Sequence, residues 1–166
     1  MVQHKVIVSG LILDPDSSTP ILILKSEEND QVIPIWIGLL EATAIATSLQ
    51  GIRFDRPMTH DLFQNFVELT GVAITSVEVC DILDSTFYAR INFFSSGASF
   101  SLDARPSDAI AIALRANAPI FVDEKVFLKS SNKDETVHAA DNSEEGQKWA
   151  KYLNNLSSND FGKYKV

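Results

Sequence analysis

Residues 103–115 read DARPSDAIAIALR, and the rest of the chain is organised around them. A strand ends, a helix begins and a charged cluster forms within a few positions. Proline suits the first helical position, where its missing N–H is no loss, so Pro106 marks the start and Arg105 the N-cap. Asp108 then falls at the third helical position. A carboxylate there meets free backbone N–H groups and the positive end of the helix dipole. Ala109, Ala111, Ala113 and Ala116 leave the helix with little side-chain bulk, so another backbone can approach closely. Arg115 lies two turns beyond Asp108 on nearly the same face. A helix this apolar, charged only at its ends, is expected to be buried.

Working outward, the residues before this helix alternate as strands. Residues 72–82 (alternating through Val72, Ile74, Val77 and Val79), 87–94 and 99–103 read as three strands, with turns at 84–86 and 95–97. A short last strand follows at 119–122. The first half of the chain has the same plan. Residues 6–13 form a strand with Gly10 as a bulge. Residues 21–24 form a second strand, apolar throughout and expected to be buried on both faces, and 32–37 a third. Pro34 marks that third strand as an edge or bulged position. Gly38 then precedes a helix over 39–50, with Gly51 as its stop. A further helix is expected from an N-cap at Thr59, with Asp61 in its first turn, to a stop at Gly71.

The two helices that follow the strand triplets match: Glu41-Ala-Thr-Ala-Ile-Ala against Asp108-Ala-Ile-Ala-Ile-Ala. Each carries an acid at its third position. An internal duplication of a β-β-β-α unit is inferred, with the two acidic helix starts facing each other across a pseudo-twofold axis. The fold class expected is α+β, a mixed or antiparallel sheet packed on alanine-rich helices.

The 166 residues suffice for one domain with a sizeable core. The expected division is a domain over 1–128, a flexible polar linker over 129–146 and a helical tail over 147–166. The linker, KSSNKDETVHAADNSEEG, has Val137 as its sole aliphatic residue beyond alanine, too little to offset ordering entropy. The tail places Trp149, Leu153 and Leu156 on one helical face. No apolar run approaches the roughly 20 residues of a membrane span. The first residues alternate like a strand and lack a secretory pattern. Cys80 is the single cysteine, which excludes an intrachain disulfide and a cysteine metal cluster, and its place in an apolar strand makes it a core residue. A cytoplasmic protein without membrane partners is expected.

The net charge is −8, and all of it lies in residues 1–125; residues 126–166 hold six basic and six acidic side chains. Nucleic-acid coating draws on neutralisation of many phosphates, which an acidic body does not supply. A local site remains open, with arginines or bound cations providing positive charge. The candidates cluster at helix starts. Glu41, His60, Asp103 and Asp108 are expected to carry catalysis, and Arg56, Arg105, Ser107 and Arg115 to bind substrate. Glu41, Asp103 and Asp108 could hold a hard divalent cation through oxygens, either Mg2+ or Mn2+. Arginines could clamp a phosphate. His4 and His138 stand at no ligand spacing from His60, so a histidine zinc site is not expected; general acid–base work is the functional alternative for it, and it gains weight only from the collection. Taken singly, most of these residues suit any helix start, and only the collection suggests phosphodiester chemistry. No Walker loop, dinucleotide fingerprint, nucleophile elbow or zinc motif is present.

Five stretches carry a resemblance: PIWIGLLEATAI (34–45), RPMTHDLF (56–63), FYARI (87–91), DARPSDAIAIALRANAPIFV (103–122) and NDFGKY (159–164). In order and spacing the chain resembles the bifunctional nuclease domain family. The resemblance implies an α+β fold with a duplicated unit, homodimers or higher homo-oligomers, and a nuclease acting on RNA and DNA. It carries no residue-by-residue mechanism, so the site assignments rest on the motif positions. The competing expectation is a non-enzymatic binding or assembly module, in which the arginines and carboxylates form an internal network fixing two halves or two subunits. Small-anion binding at the helix starts is a weaker option, because Glu41 and Asp108 already place negative charge there.

Overall fold

The structure, a computed structural model, describes residues 2–131. Among them the chain forms, in order, β1 (Gln3–Leu13), β2 (Pro20–Ser26), β3 (Val32–Trp36), α1 (Leu39–Leu49), α2 (Thr59–Leu69), β4 (Ala73–Leu83), β5 (Thr86–Ser95), β6 (Ala98–Ala104), α3 (Pro106–Ala116), β7 (Ile120–Asp123) and α4 (Glu124–Ser131). The strands make one seven-stranded sheet in the order β3-β2-β1-β7-β4-β5-β6. The fold is α+β, as the sequence implies.

The sheet explains the repeat. Two antiparallel three-stranded meanders flank the short β7, which runs antiparallel to β1 and parallel to β4. The meanders therefore run in opposite senses, as a twofold axis through β7 requires. Each ends in a helix, α1 or α3, and these two helices pack on each other. Alanines make the approach possible: Ala42 and Ala46 on α1, and Ala109, Ala111 and Ala113 on α3, are all buried. Below them the sheet presents Leu22, Leu24, Ile33, Val77, Val79, Ala89 and Ile91 to form the core.

Local chemistry sets the connections. Asp84 and Ser85, then Ser96 and Gly97, all have positive φ, which suits the tight β4–β5 and β5–β6 hairpins. The β1–β2 register shifts between Val8 and Gly10, so the bulge falls where Gly10 places it. Pro34 sits on β3 at the sheet edge, where a missing ladder donor matters least. Gly51 and Gly71 take the left-handed conformation just past α1 and α2. Arg105 is the N-cap of α3 with Pro106 first, as expected.

Two expectations need correction, and one helix is additional to them. Met58, not Thr59, is the N-cap of α2, because the Asp61 carboxylate accepts the Met58 backbone N–H at 2.9 Å and Thr59 becomes the first helical residue. The second strand is fully covered only at its start; Ile23 and Lys25 are half-buried. Residues 124–131 form α4, which the sequence reading missed. Its Val126 and Phe127 are buried, and Lys125 and Lys129 both reach Asp81, at 3.0 and 2.7 Å. The helix takes the first three residues of the proposed linker; the rest of the linker and the tail lie outside the described residues. Cys80 is buried, as a core residue should be. No helix among the described residues is long and apolar enough to cross a membrane.

Candidate active site

The duplicated plan puts the starts of α1 and α3 side by side, and the side chains at those starts meet. Arg105 donates from Nε to Asp108 Oδ2 at 2.7 Å and from Nη1 to Glu41 Oε1 at 2.9 Å. One guanidinium thus joins the acid of the first unit to the acid of the second. His60, on the first turn of α2, lies 3.2 Å through Nε2 from Asp108 Oδ1. The four side chains form one connected cluster drawn from three helices.

The cluster is open. The Arg105 side chain is 65% exposed, while Glu41, Asp108 and His60 are 22%, 30% and 18% exposed. Two of the five guanidinium N–H donors are engaged by the carboxylates, leaving three for a ligand. Burial pushes the Asp108 carboxyl up, but the hydrogen bonds from Arg105 and His60 outweigh it, and Asp108 titrates below the ordinary 3.8. Asp108 in turn holds the Arg105 guanidinium above its usual value, with Glu41 adding to it. An ionised carboxylate only accepts hydrogen bonds, which assigns the shared hydrogen to His60 Nε2. A neutral His60 then keeps Nδ1 as a proton acceptor.

Beside the cluster is a cavity of about 310 Å3. Ile35, Ile37 and Phe87 line its apolar part; Glu41, Arg105 and Ser107 line its polar part. Trp36 also lines it, and its indole Nε1–H donates to Asp14 Oδ2 at 3.0 Å. Sequence reasoning missed Trp36 and Phe87. Their signal was faint: Trp36 falls two residues before Gly38, but nothing in one sequence brings the β4–β5 hairpin to that place.

The other candidates sit apart. Arg115 is buried, with 8% of its side chain exposed, and donates to Asp61 Oδ1 at 2.5 Å and to the carbonyls of Ala44 and Ala111 at 3.0 and 2.9 Å. It ties α3 to α2 and α1. Asp103 is exposed on β6 and stands opposite Arg90 of β5 in the ladder. Arg56 is exposed in the connection between α1 and α2. Ser107 is buried in the first turn of α3 at the cavity.

Among the described residues no three His, Cys, Asp or Glu side chains gather as a metal site. Arg105 lies between Glu41 and Asp108, where a shared cation would sit, and Asp103 stands on β6 opposite Arg90 instead of joining them. The arrangement as it stands does not fit a cation held by Glu41, Asp103 and Asp108.

Comparison with known proteins gives a consistent set. The family model described as the bifunctional nuclease domain matches residues 22–135. The chain is 35% identical over 159 residues to an uncharacterized protein of Mycobacterium tuberculosis, covering 93% of this chain and 95% of that one. It is 29% identical to bifunctional nuclease 1 of Oryza sativa subsp. japonica, over 68% of this chain and 35% of that protein. With bifunctional nuclease 1 of Arabidopsis thaliana it shares 26% identity, over 63% and 34% of the two chains. The matches thus span about a third of the plant proteins.

Proposed function

The chain belongs to the bifunctional nuclease domain family, and from this we propose that it hydrolyses phosphodiester bonds of RNA and DNA at the Arg105 cleft. The observation that carries the reading is the His60–Asp108 pair beside an exposed guanidinium, next to a cavity. Arg105 binds the phosphate through its remaining N–H groups and offsets charge as it builds on the phosphoryl oxygens. Asp108 accepts from His60 Nε2–H and orients the ring. Neutral His60 takes a proton through Nδ1 from the attacking water, whose oxygen bonds to phosphorus as the P–O bond to the leaving strand breaks. No step runs through Mg2+ or Mn2+, because the carboxylates as placed hold a guanidinium.

The test is cleavage of RNA and single-stranded DNA by the purified chain, with either cation and with a chelator. His60→Ala and Asp108→Ala should each lower the rate about 100-fold, the usual scale of one general-base contribution. Wild-type rates in Asp108→Ala would refute the site. Abolition by the chelator would show that a cation enters and that Arg105 must move aside.

A second reading is favoured by the bridging of the two units. Glu41 and Asp108 outnumber Arg105, so with His60 neutral the cluster carries a net negative charge that repels phosphate. On that reading Arg105 is a clasp between the halves, and no preparation cleaves nucleic acid. Assembly into homo-oligomers is proposed alongside either reading. It is supported by Leu62, Phe66 and Leu69 exposed on α2, and by edge strand β6, which exposes Phe100 and Leu102 and lacks proline and lysine. Light scattering of the full chain tests it, and a monomer at all concentrations would overturn it. A soluble protein of the cytoplasm remains the expected setting.

A further inference from the structure

We propose that the cavity beside Arg105 receives one unstacked nucleobase, so that the chain acts on single strands and not on intact duplex. The proposal rests on the nuclease reading for its chemistry and adds the substrate class. Three observations meet at the cavity. Its volume, about 310 Å3, is at the small end of ligand pockets and suits one nucleoside unit. Its lining holds the two kinds of group a nucleotide needs: the apolar side chains of Phe87, Ile35 and Ile37 for a flat ring, and the Arg105 guanidinium, beside the Glu41 carboxylate, for a phosphate. Trp36 is held in place by the bond to Asp14, which itself accepts from Ser17 Oγ at 2.7 Å. A large aromatic fixed in this way stays exposed at 40% instead of collapsing onto the core.

The charge of the chain supplies an independent argument. Affinity for duplex is built from many phosphate contacts, and a protein carrying −8 has few to offer. Binding must then come from stacking one base on an aromatic ring, with one phosphate at Arg105. Stacking tolerates any base, because every base has a π-face. Inside a duplex the base faces are covered by their neighbours, and reaching the cavity requires unstacking and unpairing.

The experiment uses the full chain with Trp149→Phe, which leaves Trp36 as the sole tryptophan. Adenosine and uridine monophosphates, ribose 5-phosphate and inorganic phosphate are titrated against Trp36 fluorescence. Cleavage of one sequence is followed as single strand and as duplex. Both nucleotides should change the emission saturably, and ribose 5-phosphate should bind at least about 10-fold more weakly, the weight of one base–aromatic stack. Phe87→Ala should weaken nucleotide binding by a similar factor. Phe87→Leu, which keeps most of the volume, serves if the alanine variant fails to fold. Single strands should be cut at least about 10-fold faster than duplex. Equal binding of ribose 5-phosphate, or equal cutting of duplex, overturns the proposal while leaving the nuclease reading intact. Base-dependent binding without cleavage of any substrate supports the cavity and removes the nuclease reading.

Discussion

Arg105 and Arg115 lie ten positions apart at the two ends of α3, and their replacement by alanine should have opposite consequences. Arg115 is enclosed and donates three hydrogen bonds, to Asp61 and to the carbonyls of Ala44 and Ala111. Its loss leaves the Ala44 carbonyl without that donor and Asp61 without its partner. Breaking one side of a buried pair costs roughly 3–5 kcal/mol. Asp61 is about a third exposed and regains water, so the low end, about 3 kcal/mol, applies. For a chain of this size each kcal/mol moves Tm by about 2–4 °C, giving a fall of about 6–12 °C. Arg105 holds two carboxylates, yet it is mostly in solvent, where such pairs contribute about 0–1 kcal/mol. Arg105→Ala should therefore melt within about 4 °C of wild type. Thermal unfolding by circular dichroism gives the first reading. The second is the cleavage rate per folded molecule at 20 °C, which Arg115→Ala should retain and Arg105→Ala should lose. A large fall in Tm for Arg105→Ala, with little for Arg115→Ala, would refute the reasoning and favour the clasp.

Two further outcomes follow from the same contacts. The folded state holds Asp108 below its ordinary 3.8, so its ionised form stabilises the fold above about pH 4, and that contribution is lost as pH falls through the lowered value. Asp108→Asn should flatten the decline of the urea midpoint between about pH 5 and pH 3, and an unchanged slope would dismiss the pairing. A Cβ on Gly38 would clash with the Glu41 carboxylate, a flexible group that can swing away. Gly38→Ala should then change stability by no more than about 0.5 kcal/mol, and it should slow cleavage to the same extent as Glu41→Gln, since both weaken the Glu41–Arg105 contact; full activity would show that this contact is dispensable.

Much of the fold was legible because its signals are local. Pro106 and the alternation of residues 72–103 placed α3 and the second meander, and Gly10, Gly51 and Gly71 marked a bulge and two helix ends. The match between Glu41-Ala-Thr-Ala and Asp108-Ala-Ile-Ala pointed to the two facing helix starts, and Arg105 joins them. Helix α4 escaped because its apolar residues, Val126, Phe127 and Leu128, are consecutive and show no helical period. Thr59 reads as the cap by hydroxyl preference, but the Asp61 carboxylate reaches the Met58 N–H and moves the cap one residue earlier.

Read without its fold, the chain already specifies where its strands and most of its helices form and that two acids begin two matching helices. Side-chain chemistry at helix starts and the period of apolar residues act over a few positions, and both are written in the chain. The company each charge keeps depends on how the elements pack. Arg105 and Arg115 look alike in sequence, but packing closes α1 and α2 over one and leaves the other in solvent. The same packing sends Asp103 to Arg90 and brings His60 to Asp108 across 48 residues. Such pairings depend on distances between elements, which no local pattern encodes.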